Sequence, residues 1–365
     1  MVTRRSLIRR ASALAAASVL PGAAVAQTAR AAGFRYAEET APHERTFMQW
    51  PVSRAVYGGG SYLDRVQETI ADIANTVAEF EPVVMLMASE HEATARKLLG
   101  KGIEIWDVPT EDLWARDSGP SFVVDGKGGL AMTQFNFNGW GGKQPHRNDS
   151  QVARRVAEIM GLTLYDAGLV GEAGGAEFDG HATLIAHESS WVNKNRNKGG
   201  KDEITRMLLD TYGAKKLIWA PGIKGADITD FHIDALARFT EPGVALIQMG
   251  DEIDPADPWS RAAFETYDIL AAATDASGRK LELVRLPEPI DIRGSGNDFV
   301  ASYVNYYVCN GAVIASHFGD DAADEEAQAI LSDRYPGREI VMLDTDPVGE
   351  AGGGIHCATH EQPKV

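Results

Sequence analysis

The sequence predicts an α/β fold assembled from small repeated units. Short β-like runs alternate with helical patterns along nearly the whole chain. Their cadence is strand, strand, helix, strand, returning roughly five times. No low-complexity linker or composition shift divides the chain beyond about residue 35. Alternation alone fits a doubly wound sheet, and repetition with radial closure fits it equally.

The elements run in order along the chain. PVVMLMA (82–88) reads as a buried strand and HEATARKLLGKG (91–102) as a helix ended by glycine. IEIWDVP (103–109) is the next strand, and GLAMTQFNFNGW (129–140) is strand-like. DSQVARRVAEIMG (149–161) is an amphipathic helix capped by Asp149 or Ser150. HATLIAHESSWV (181–192) is strand-like, DEITRMLLDTYG (202–213) helical, and KKLIWAPG (215–222) a strand. HIDALARFTEPGVALIQMG (232–250) gives two strands joined at Pro242-Gly243. RAAFETYDILAAATDASG (261–278) is a helix and LELVRLPEP (281–289) a strand. SYVNYYVCNGAVIAS (302–316) forms a hairpin around Asn310-Gly311. DEEAQAILSDRYPG (324–337) is the last helix and REIVMLDT (338–345) the last strand.

Hydrophobic residues at 44% and charged residues at 24% are those of an ordinary globular protein. The net charge of -17 argues against nucleic acid as a partner and is compatible with a cationic ligand. The first 26 residues read as a secretory signal. Arg4 and Arg5 precede a mildly apolar run closed by Ala24-Val25-Ala26, the twin-arginine type with an A-x-A cleavage site. That run is too short to span a membrane. Export to the periplasm, no membrane association after cleavage, and a single catalytic domain over 33–365 are the expectations. A homo-oligomer is left open.

Export permits a disulfide between the two cysteines, Cys309 and Cys357. Cys309 sits in an apolar β-rich run and reads as a core residue. Cys357, in GGGIHCATHEQP (352–363), stands among glycines and polar groups, the setting of a nucleophile. The glycines could turn backbone N–H groups toward a bound group, but the Lys-Ser/Thr of a phosphate loop is missing. His356 in an extended chain would point away from Cys357, which leaves His232 as the working imidazole.

Four other stretches carry polar residues that folding does not require. LWARDSGPSF (113–122) holds Asp117 and Trp114, whose bland roles are turn capping and core packing. GEAGGAEFDGHATL (171–184) sets Glu172 among glycines, otherwise a solvated loop. GADITDFHIDALARF (225–239) puts His232 and Asp234 on one face of a β-like run. With Asp227 and Asp230 this set could hold a metal, or it could pair an acid/base imidazole with a substrate-binding carboxylate. NFNGWGG (136–142) places Trp140 in a close-packed turn.

Taken together, these segments resemble the agmatine deiminase family, which includes bacterial peptidyl-arginine deiminases. The resemblance rests on PHERTFMQWP (42–51), WARDSGP (114–120), NFNGWGG, Glu172 in its glycine loop, NKNRN (193–197), TDFHID (229–234), SYVNYY (302–307) and GGGIHCATHEQP. It implies a pentein-like fold, a five-bladed pseudo-symmetric α/β propeller of ββαβ units. It implies Cys357 as nucleophile on a guanidinium carbon and His232 as general acid/base. Asp117 and Asp234 would bind guanidinium nitrogens, and Glu172 would orient His232 or bind substrate. Trp114, Trp140, Asn305 and Gly354 would contact a small cationic guanidino substrate, with no cofactor and no metal. The chain departs from the family pattern at Phe231, where glycine is frequent, at Ala173, and at His360 and Glu361, where glutamines are common. These departures lie near the site and bear on the tail of the substrate.

Overall fold

The computed structural model describes residues 28–296 and 299–365. The proposed signal, residues 1–26, lies outside them. Five small sheets account for the strands, each built around an antiparallel pair followed by a helix and a parallel strand. Ser121–Val124 and Leu130–Gln134 pair antiparallel, helix Val152–Met160 crosses, and Leu164–Asp166 adds in parallel; Arg35–Tyr36 extends the other edge. The same order holds for Ala176–Phe178, Thr183–His187, helix Lys201–Tyr212 and Lys216–Ala220. It returns in Ala237–Glu241, Val244–Gln248, helix Pro258–Ala272 and Glu282–Leu286. It returns again in Tyr307–Cys309, Ala312–His317, helix Asp321–Arg334 and Glu339–Asp344.

The remaining blade is assembled from both ends of the described chain. Thr359–Pro363 pairs antiparallel with His43–Gln49, Thr359 opposite Met48. Helix Ser61–Val77 then leads to Val83–Met87 and Glu104–Asp107, both parallel. This is the five-bladed ββαβ propeller, and the doubly wound alternative is set aside. Among the described residues no helix is long and apolar enough to cross a membrane.

Local sequence explains the elements. Val83–Met87 is buried throughout because each face of the strand meets a core, Val83, Met85 and Met87 in one cluster and Val84 and Leu86 in another, so it reads as an unbroken apolar run. Val66, Ile70, Ile73, Ala74 and Val77 line one face of their helix at helical spacing and sit in the first core cluster. Asp257 caps its helix by accepting from the N–H groups of Trp259 and Ser260, with Pro258 at the first turn. Gly161 and Gly213 end theirs in the left-handed conformation.

Several expectations are corrected. Helix Ser61–Val77 lies outside the elements that the alternation predicts, because Asp64, Arg65, Gln67 and Glu68 dilute its apolar stripe. The stretch 91–102 holds only the short helix Glu92–Ala95 followed by turns. The strand expected over 129–140 ends at Gln134. Asp149 and Ser150 do not cap the following helix, whose N-cap is Gln151; the Asp149 carboxylate accepts instead from the N–H groups of Glu111 (2.8 Å) and Asp112 (3.1 Å). His232 and Asp234 are not in a strand either, since Ile233–Ala235 is a 3-10 turn.

The inner strands carry charge toward the centre. Glu39 accepts from Arg238 (2.7 Å), Arg116 (3.3 Å), His356 (2.8 Å) and the N–H of Val308 (2.9 Å). Arg116 also meets Glu361 at 2.8 Å, and Arg238 meets Glu177 at 3.0 Å. Removing one member of such a set strands its partners without counter-charge. Glu39→Ala is therefore expected to destabilise the protein by about 3–5 kcal/mol, measured by urea denaturation.

Candidate active site

Apart from Trp140, which follows the second strand of its blade, each candidate residue lies in the turn that enters the first strand of a blade. Asp117 precedes Ser121–Val124, Glu172 precedes Ala176–Phe178, and His232 and Asp234 precede Ala237–Glu241. Asn305 precedes Tyr307–Cys309, and Cys357 precedes Thr359–Pro363. Five equivalent turns of a closed ring meet at one end of its axis, and this brings together residues remote in sequence.

The groups converge around Gly174. A Cβ built on it would lie 2.9 Å from Asp117 Oδ1, 2.9 Å from Asp234 Oδ2 and 3.0 Å from His232 Nδ1. Cys357 Sγ lies 3.5 Å from Asp234 Oδ2 and receives a hydrogen bond from Asn305 Nδ2 at 3.2 Å. Asn305 Oδ1 accepts from the Cys357 N–H at 3.2 Å, so one amide fixes both ends of this residue. Gly354 starts the helical turn Ile355–Ala358, and a Cβ there would sit 2.6 Å from Asn305 Oδ1. Gly353 is packed as tightly against the Trp114 ring. Trp140, held at φ +54°, donates its Nε1–H to Asp117 Oδ2 at 2.8 Å. Trp140 and Asn305 thus touch Asp117 and Cys357 directly, while Trp114 packs at Gly353 and Gly354 at Asn305.

His232 stands between two acids. Its Nδ1 is 3.7 Å from Asp117 Oδ1 and its Nε2 is 3.2 Å from Glu172 Oε2. Burial alone would lower its pKa, but Asp117 and Glu172 outweigh burial and raise it to about 9. Burial pushes Asp117 up to about 6 against the pull of His232. Asp234 is held below the usual carboxylate range: burial works against this, and His356, whose Nδ1 lies 2.8 Å away, prevails. Burial, then Asp234 and Asp117, push the Cys357 thiol well up. Asp117 Oδ1 and Asp234 Oδ1 are buried oxygens without a hydrogen-bond partner.

Other expectations change. His356 lies in a helical turn and not in an extended chain, and its ring bridges Asp234 and Glu39. Asp227 accepts from Thr229 Oγ1 and the Phe231 N–H, and Asp230 from Arg196 and Lys143. The set Asp227, Asp230, His232 and Asp234 therefore does not converge as metal ligands. Cys309 and Cys357 are both free, so the disulfide is absent. The Phe231 ring packs on His187 and Trp259, and Glu361 pairs with Arg116; these departures sit behind the reacting groups. Arg196, Glu39, Arg116 and Arg238 support the site and were not among its expected residues. Arg196 stands in NKNRN, Arg116 in WARDSGP and Arg238 at the end of GADITDFHIDALARF; Glu39 carries no such signal.

A thiol, a protonated imidazole and two unsatisfied carboxylate oxygens around one small space suit a flat cation attacked at carbon by sulfur. This is the equipment of a hydrolase that opens C–N bonds in linear amidines. A family model described as Porphyromonas-type peptidyl-arginine deiminase matches residues 35–363. The agmatine deiminase of Pseudomonas aeruginosa (strain LESB58) is 35% identical over 362 residues, spanning 92% of this chain and 97% of its own. That of Ectopseudomonas mendocina (strain ymp) is 34% identical over 363 residues, with the same coverage of 92% and 97%. The solved agmatine deiminase of Enterococcus faecalis, described as catalysing its reaction, matches with a TM-score of 0.86 at 29% identity, over 93% of this chain and 98% of that one. The chain belongs to the agmatine deiminase and bacterial peptidyl-arginine deiminase family of guanidino-modifying hydrolases.

Gly174 gives a direct check of the convergence. Its φ is not in the left-handed region, so Gly174→Ala adds no torsional strain, but its methyl collides with Asp117, Asp234 and His232 and must push them apart. The variant is expected to keep its melting temperature within a few degrees and to lose about 100-fold or more in kcat/KM, read by ammonia release.

Proposed function

We propose that the protein deiminates a small guanidino compound, agmatine, to its ureido product, N-carbamoylputrescine, with release of ammonia. The observation that carries this reading is the pair of buried, unpartnered oxygens, Asp117 Oδ1 and Asp234 Oδ1, flanking Cys357 and His232. A guanidinium presents planar N–H donors that two such carboxylates bind by charge-assisted hydrogen bonds. Agmatine is favoured because full-length relatives carry that activity in their names. The closed setting also suits a narrow substrate, since Cys357 is 8% exposed and Asp234 fully buried.

The steps are set by the charges. Without a cation, Asp234 and Asp117 disfavour the thiolate; the bound guanidinium reverses that local field. The thiol proton passes to solvent as the cation binds; the sulfur anion then attacks the guanidinium carbon, and His232, protonated at neutral pH, gives its proton to the departing nitrogen, which leaves as ammonia. A covalent S-alkylthiouronium remains on Cys357. His232, now neutral, takes a proton from water, whose oxygen adds to the same carbon. The C–S bond breaks, the ureido product leaves, and the sulfur regains its starting state. Glu172 holds the imidazole throughout from its Nε2 side.

A second reading, deimination of arginine within exported peptides, is favoured by the description of the matching family model. A panel of agmatine, free arginine and arginine peptides, assayed for ammonia and ureido product, decides between them. Export itself is proposed on Arg4, Arg5 and the Ala24-Val25-Ala26 site, and fractionation of cells expressing the full chain tests it.

Cys357→Ala and Cys357→Ser are expected to abolish turnover while folding survives; undiminished ammonia release from both would refute the thiol mechanism. The pH profile is expected to be a bell. Asp117 must be ionised to hold the cation, so kcat/KM falls as pH drops through about 6. His232 must be protonated to release ammonia, so it falls again as pH rises through about 9.

A further inference from the structure

We infer that Arg196 is a positioning residue for His232, acting at once on the carboxylate behind the ring and on the strained turn that delivers it. This rests on the deiminase reading. Arg196 is completely shielded along its side chain and uses all three guanidinium nitrogens. Its Nε donates to both oxygens of Glu172, at 2.8 and 3.1 Å, and Glu172 Oε2 is the oxygen facing His232 Nε2. Its Nη2 donates to the Thr229 carbonyl at 3.1 Å. Its Nη1 donates to Asp230 Oδ2 at 2.9 Å and to Asn195 Oδ1 at 3.1 Å.

The second set of contacts matters because of the backbone there. Asp230 and Phe231 lie consecutively at φ +61° and +68°, a conformation that side-chain-bearing residues resist, immediately before His232. Such a turn persists only where its surroundings over-determine it. Asp230 is tied by Arg196, by Lys143 Nζ at 2.9 Å, by Asn195 Nδ2 at 3.1 Å and by the Gly225 N–H at 2.8 Å. The Phe231 ring is tied to His187 and Trp259. Arg196 is the one group here that reaches both the turn and Glu172.

A guanidinium does this through its rigid fork, and a lysine ammonium in the same place could not span both partners. Arg196 also supplies the cation beside Glu172. The charged or titratable groups around His232 are otherwise Asp117, Glu172, Asp234 and His187. His187 is held neutral, burial lowering it to about 4, so it adds no positive charge.

The test compares Arg196→Lys and Arg196→Gln by kinetics and by ¹⁵N-histidine NMR titration of the substrate-free protein, with His232→Gln assigning the signal. Arg196→Lys is expected to keep the His232 titration in place and to lower kcat about 10-fold with KM little changed. Arg196→Gln is expected to lower kcat about 100-fold and to move the titration, and the alkaline limb of kcat/KM, upward by about half a pH unit or more. A folded Arg196→Gln with an unmoved titration overturns the proposal. So does an Arg196→Lys variant with wild-type kcat, which also decides the matter if the glutamine variant fails to fold. The titration needs no turnover, so loss of this positioning role is distinguishable from failure of the deiminase reading itself.

Discussion

Charge removed from water must be answered by opposite charge at hydrogen-bond distance, and the centre of this propeller is organised around that constraint. Glu39 is answered by Arg116, Arg238 and His356, and Glu172 by Arg196 and His232. Asp234 is answered by His356 on one oxygen only. Its other oxygen and Asp117 Oδ1 have no hydrogen-bond partner among the described residues, His232 Nδ1 standing off at 3.7 Å from the latter. Under the proposed reading the substrate's own cation completes the set, so recognition and charge compensation are one event. The same arithmetic explains why a buried thiol beside two acids can be quiet until a cation arrives.

The fold makes this arrangement with little local ingenuity. Each blade begins with a turn at the same end of the ring, and each turn contributes a different group: acid, acid, imidazole with acid, amide, thiol. The repeated unit fixes where the groups point; the individual turn sequences fix what they are. Glycines at 174, 353 and 354 let neighbouring turns approach more closely than any side chain would permit.

Much of this is legible in the residues. The cadence of strand, strand, helix, strand carries the blades, although only the family resemblance separates a ring from a doubly wound sheet. Asp117, Glu172, His232, Asp234 and Cys357 stand out as polar groups in glycine-rich or turn-like settings, and all five meet. His232 and Asp234 meet for a different reason than strand alternation, since a 3-10 turn puts them together. The same strand logic misplaces His356, whose backbone is helical. Asp149 resembles a helix cap because a helical pattern begins just after it, whereas its partners are backbone N–H groups of a segment some forty residues earlier. Glu39 carries no local signal, because its importance comes entirely from cations delivered by three distant elements.

The closure of the ring bears on the chemistry. Cys357 is separated by a single residue, Ala358, from the strand Thr359–Pro363 that seals the ring against His43–Gln49. The nucleophile therefore rides on the joint that closes the ring, where Thr359–Pro363 pairs with His43–Gln49. Loosening of that seam would displace the sulfur without altering a single reacting group.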